Sequence, residues 1–90
     1  MADKITEFTI DLGGIYTRLT FFPKQVSVLT REAYEPERYT TFSGILQIKE
    51  IIKRQKEEIY NYIDWGVTKN TEEYCDLKLK QLEEIEKIYN

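Results

Sequence analysis

Residues 5–22, ITEFTIDLGGIYTRLTFF, alternate apolar and polar side chains on both sides of a Gly-Gly pair. This pattern restricts the fold more than any other stretch. Period-two alternation marks a half-buried strand, and two such runs around two glycines mark a β-hairpin. A two-residue turn at Gly13-Gly14 uses positive φ at both central positions, which glycine adopts without a Cβ penalty. The turn then sets Leu12 opposite Ile15, Ile10 opposite Thr17, Phe8 opposite Leu19 and Thr6 opposite Phe21, a nearly apolar face. The other face pairs Asp11 with Tyr16, Thr9 with Arg18, Glu7 with Thr20 and Ile5 with Phe22, and Arg18 lies diagonal to Glu7 and Asp11. A one-residue slip would turn the apolar set toward water.

Pro23-Lys24 marks the next turn, since proline presets φ and cannot donate to a central ladder. Gln25–Arg31 is rich in β-branched residues and is predicted as a third strand. Residues 32–42 contain Pro36 and many polar side chains, so they are expected to form a connection, with room for a short edge strand at Tyr39–Phe42. Ser43 is the expected N-cap of a first helix over about 44–65. Ile45, Ile48, Ile52, Ile59 and Tyr62 form its apolar stripe, interrupted by Gln55. Gly66 is the expected left-handed cap. Asn70 and Glu73 suggest a capping-box start for a second helix over about 71–89, with Cys75, Leu79, Leu82, Ile85 and Tyr89 on one face. The expected fold is α+β in one domain over residues 1–90. It consists of a three-stranded antiparallel meander, with strands at about 4–12, 15–22 and 25–31, packed on an antiparallel helical hairpin.

The composition removes most common chemistry. The 90 residues contain no histidine and one cysteine, Cys75. This leaves no His general base, no Ser-His or Cys-His nucleophile pair, and no His- or multi-Cys metal site. A lone cysteine makes no internal disulfide and fits a reducing, cytoplasmic setting. Sixteen acidic and thirteen basic residues give a net charge of −3, which selects no partner class. No apolar run approaches a membrane span of about 20 residues, and no signal-peptide pattern is seen in residues 1–30. The expectation is therefore a non-enzyme without cofactor or metal.

One segment resembles a catalytic motif. Asp11, Gly13, Gly14, Thr17 and Arg18, between two strands, resemble the first phosphate motif of the sugar kinase and actin-like ATPase superfamily, whose strand ends in Asp-Gly-Gly-Thr. The resemblance implies nucleotide-phosphate binding at the Gly-Gly hairpin. It covers about 16 residues, has Ile15 where the family has threonine, and lacks the two large domains of that family. A hairpin turn accounts for the same residues without a ligand.

Two binding surfaces can be drawn from the remaining residues. Lys49, Lys53, Arg54 and Lys56 on the first helix, with Tyr16 and Arg18 on the sheet, are the candidate residues of a single-strand nucleic-acid platform. Glu7, Asp11, Glu50, Glu57 and Glu58 dilute that charge. Glu83 and Glu86, one helical turn apart, could bind a divalent cation, but such sites usually need more oxygen ligands converging from elsewhere; a solvated helix face is the expected role. The second surface is aromatic and apolar: Tyr34, Tyr39, Tyr60 and Trp65, with Leu77 and Ile88 widening the apolar arc of the last helix. Aromatic residues are enriched at protein interfaces. The leading expectation is a small protein-binding protein of the viral or phage accessory or inhibitor type, acting in a host cytoplasm. Self-association through the helices would make it a homodimer.

Overall fold

The computed structural model describes residues 5–90. Gly13 and Gly14 have φ of 59° and 85°, as a tight turn between twisted strands requires. They join β1 (Thr6–Leu12) to β2 (Ile15–Phe21) in the register expected from the sequence, Leu12 opposite Ile15 through Thr6 opposite Phe21. The expected strand start at residue 4 lies outside the described residues. β3 (Gln25–Glu32) follows the Pro23-Lys24 turn, which the Phe22 N–H closes on the Gln25 carbonyl at 2.8 Å.

The sheet has four strands where three were expected. Residues 38–43, Arg-Tyr-Thr-Thr-Phe-Ser, form β4 and pair antiparallel with β3, so the order is β1-β2-β3-β4. Only residues 33–37 of the expected connection remain a loop. The reason is local composition: Tyr, two Thr and Phe favour a pleated strand, and Pro36 lies upstream of the ladder, where its missing N–H costs nothing.

One sheet face carries Phe8, Ile10, Thr17, Leu19, Phe21 and Val26, all buried. On the other face, Ser27 and Leu29 are also buried, and the Ser27 hydroxyl hydrogen-bonds that of Thr41 at 3.3 Å.

The described residues fall into two compact units, the first ending at Ile48 and the second starting at Lys49. Ser43, the expected N-cap, is the last residue of β4. Gly44 takes the cap position instead: its carbonyl accepts the Ile48 N–H at 3.0 Å, and its own N–H donates to the Lys24 carbonyl at 2.7 Å. Its φ of +100° turns strand into helix in one step, a conformation serine would adopt only with strain.

α1 runs from Ile45 to Asp64, followed by Gly66 at φ +89°. α2 runs from Lys69 to Ile88. Its N-cap is Thr68, whose hydroxyl accepts the Thr71 N–H at 3.3 Å, rather than the expected Asn70, which lies inside the helix. Buried positions recur at helical spacing: Ile48, Ile51, Ile52, Gln55 and Ile59 in α1, and Cys75, Leu79, Leu82 and Ile85 in α2. Within the second unit, Lys56 Nζ meets Glu86 Oε1 at 2.7 Å. At 1.5 Å per residue, Lys56 lies about 12 Å before the end of α1 and Glu86 about 26 Å beyond the start of α2. The pair therefore ties the middle of α1 to the last turn of α2.

Candidate protein-contact surface

The β3–β4 end is shaped by a four-residue turn. The Glu35 N–H donates to the Glu32 carbonyl at 3.1 Å. Tyr34, third of the four, has φ 67° and is fully exposed, with a relative accessibility of 106%. That position in such a turn requires positive φ and normally takes glycine or asparagine.

The base of the turn is held by a short chain of contacts. Arg31 lies opposite Tyr16 in the β2–β3 register. Its guanidinium sits 5.1 Å from the centre of the Tyr16 ring and 3.6 Å from the Glu37 carboxylate. A cation–π contact and an exposed charge pair thus lie at the base of the loop. Beside them, Glu32 has its carboxyl pKa raised by a side-chain hydrogen bond with Glu35 and by repulsion from that carboxylate, and Arg38 partly opposes the shift. The result is a charged base with an aromatic ring at the tip. Tyr39 is exposed nearby on β4, opposite Leu29 and on the same sheet face as Tyr16.

The other apolar candidates are dispersed within the second unit. Trp65 follows the end of α1 and is 89% exposed, while Tyr60 is half-exposed on α1. Leu77 and Ile88 are both exposed on α2. Eleven residues apart, they fall on one line of the helix about 16 Å apart, with Gln81 and Glu84 between them. They do not form a continuous apolar patch. Leu46, in the first turn of α1, is exposed too and was not singled out from the sequence. Its place beside the Ile45–Ile48–Ile52 stripe was the available signal.

Half of the nucleic-acid candidate set is engaged. Lys56 is bound to Glu86, and Arg54 Nε lies 3.5 Å from Glu50. Tyr16 carries Arg31 over its ring, which occupies a face a base would stack on. Lys49 is half-buried and Lys53 exposed. Arg18 is half-buried opposite Leu29 and Thr9.

Among the described residues, no three His, Cys, Asp or Glu side chains gather where they could hold a metal ion. Glu86, half of the acidic pair considered above, is taken by Lys56. Cys75 is buried, and burial raises its thiol pKa, with Asp76 and Glu72 adding to the effect. This disfavours the thiolate that nucleophilic or redox chemistry uses. Gly13-Gly14 forms a hairpin loop in open surroundings, since a Cβ on Gly14 would meet nothing within 4 Å. No described helix is long and apolar enough to cross a membrane.

No family model, curated protein or solved structure matches this chain.

Proposed function

We propose that the chain is a non-catalytic binding protein that works through protein–protein contact, with the β3–β4 end as its principal contact. One observation carries the reading. The sequence places a fully exposed tyrosine at a positive-φ turn position where glycine would be less strained. Residues held in costly backbone conformations by a braced surrounding cluster at recognition sites. An exposed aromatic ring with few rotatable bonds loses little entropy on docking. Tyr39 extends the same contact along β4, and Trp65 is a separate exposed aromatic on the second unit. The nucleic-acid alternative is weakened by the engagement of Lys56, Arg54 and Tyr16 described above.

The test is quantitative capture from the cells that make the protein, comparing wild type with Tyr34→Gly. A defined protein partner should be enriched by wild type and reduced about tenfold or more by the variant, although the variant's fold is relieved of strain. Equal recovery by both would overturn the assignment of Tyr34. In a parallel arm, labelled single-stranded oligonucleotides are titrated at two salt concentrations. Strongly salt-dependent binding that Lys49→Ala and Lys53→Ala abolish would move the function to nucleic acid through counterion release.

A further inference from the structure

We infer that β4 is a self-pairing edge, through which two copies of this chain join their sheets into one continuous eight-stranded sheet. β4 ends the sheet, and every residue in it is exposed except Phe42, which is half-buried. Two hydrogen bonds fix which of its backbone groups face outward. The Gly44 N–H donates to the Lys24 carbonyl, and Lys24–Gly44 continues the β3–β4 register. In an antiparallel pair, bonded and non-bonded positions alternate. Arg38, Thr40 and Phe42 therefore turn their N–H and C=O groups toward β3, and Tyr39, Thr41 and Ser43 turn theirs outward. The Phe22–Gln25 bond at the other side of β3 gives the same phase, sending Val26, Val28 and Thr30 toward β4.

These three outward residues are self-complementary. A two-fold axis at Thr41 sets Thr41 against Thr41 of the second copy, and Tyr39 against Ser43. Each of the three then donates and accepts one backbone bond, about six in all. The intervening pairs set Thr40 against Phe42 and Arg38 against Gly44, so no like charges oppose each other. β1, the other edge, behaves differently. The Gly13-Gly14 turn makes Leu12–Ile15 a bonded pair, so Glu7, Thr9 and Asp11 face outward. The corresponding two-fold pairing at Thr9 would set Glu7 against Asp11, two acids, which is unfavourable. β4 also lacks the usual edge protection: it has no lysine, no proline and no bulge. The inference is independent of the Tyr34 reading, because it rests on backbone groups and strand register.

The deciding variant is Thr41→Pro. Proline removes the outward N–H at the centre of the proposed seam and leaves every β3–β4 ladder bond in place, as an edge position allows. Thr41→Val, which keeps the N–H, is the control. Wild type and Thr41→Val should move from the 10.8 kDa monomer toward twice that mass as concentration rises from about 10 μM to about 1 mM, the weak range expected of a small interface. Thr41→Pro should stay monomeric. Should Thr41→Pro fail to fold, amide exchange on wild type decides: the Tyr39, Thr41 and Ser43 amides should become protected as concentration rises, while those of Glu7, Thr9 and Asp11 do not. A monomer throughout the range overturns the inference. So does a dimer that folded Thr41→Pro leaves intact, or one dissolved instead by Leu77→Glu with Ile88→Glu, which would place self-association on α2.

Discussion

Among the described residues, Tyr34 alone is a non-glycine with positive φ. An L-residue there loses roughly 1–2 kcal/mol to the contact between Cβ and the carbonyl oxygen. Glycine removes that cost but adds unfolded-state entropy of about 0.5–1 kcal/mol. Tyr34→Gly should therefore stabilise the fold by up to about 1 kcal/mol, seen as a rise of a few degrees in the thermal midpoint. A lower midpoint would mean that Tyr34 makes a compensating contact. The strain could not be read from EAYEP, which contains neither glycine nor asparagine to signal positive φ, whereas Gly13-Gly14 announced its turn plainly. Glu32, in the same turn, gives a pH test. Its native carboxyl pKa is raised by Glu35, so the native state holds that proton more tightly than the unfolded chain does. The resulting stability is present below the unfolded value and is lost as pH rises through the native one. Glu32→Gln should match wild type most closely near pH 3 and exceed it at pH 7 in thermal midpoint. A constant difference across that range would show that Glu35 does not govern the shift.

The elements differ in how openly the sequence declares them. The β1–β2 register was legible to the residue because turn chemistry and burial pattern agreed on it. The third strand, expected over Gln25–Arg31 and found one residue longer, and both helices followed from β-branched content and apolar periodicity. β4 was legible only as a short edge segment at Tyr39–Phe42. Its charged, proline-containing approach hid the start, and with just Phe42 half-buried there is little alternation to detect. The candidate contact residues were visible as large apolar side chains lying off the predicted stripes. Their separation into distant positions needed the structure. Helix starts were the least legible, because several hydroxyl and amide side chains stand near each one. At α2 the structure chose Thr68 over Asn70, and the choice has an energetic consequence. Thr68→Ala removes the oxygen that accepts the Thr71 N–H and should cost about 1 kcal/mol in denaturant unfolding. Asn70→Ala, inside the helix, should be neutral or slightly stabilising, since alanine is the better helix former. A larger loss from Asn70→Ala than from Thr68→Ala would place the cap at Asn70 instead.

At the scale of the whole molecule, the boundary between the two compact units falls between Ile48 and Lys49, inside a helix that runs unbroken from Ile45 to Asp64. The boundary follows the first turn of α1 and falls between the buried residues Ile48 and Ile52. A single cooperative unfolding transition is the expectation for a chain of this length. Trp65 is a poor reporter of it, because at 89% exposure its indole is already in water before unfolding. Amide exchange is the suitable measurement. The amides of Phe8 and Leu19 in the first unit, and of Leu79 and Leu82 in the second, should share one opening free energy in the native state. Lys49→Gly weakens the helix at the boundary by about 1 kcal/mol. If folding is one event, this substitution lowers the protection of both sets by the same factor. If only one set falls, the units open separately and the helix across the boundary does not couple them.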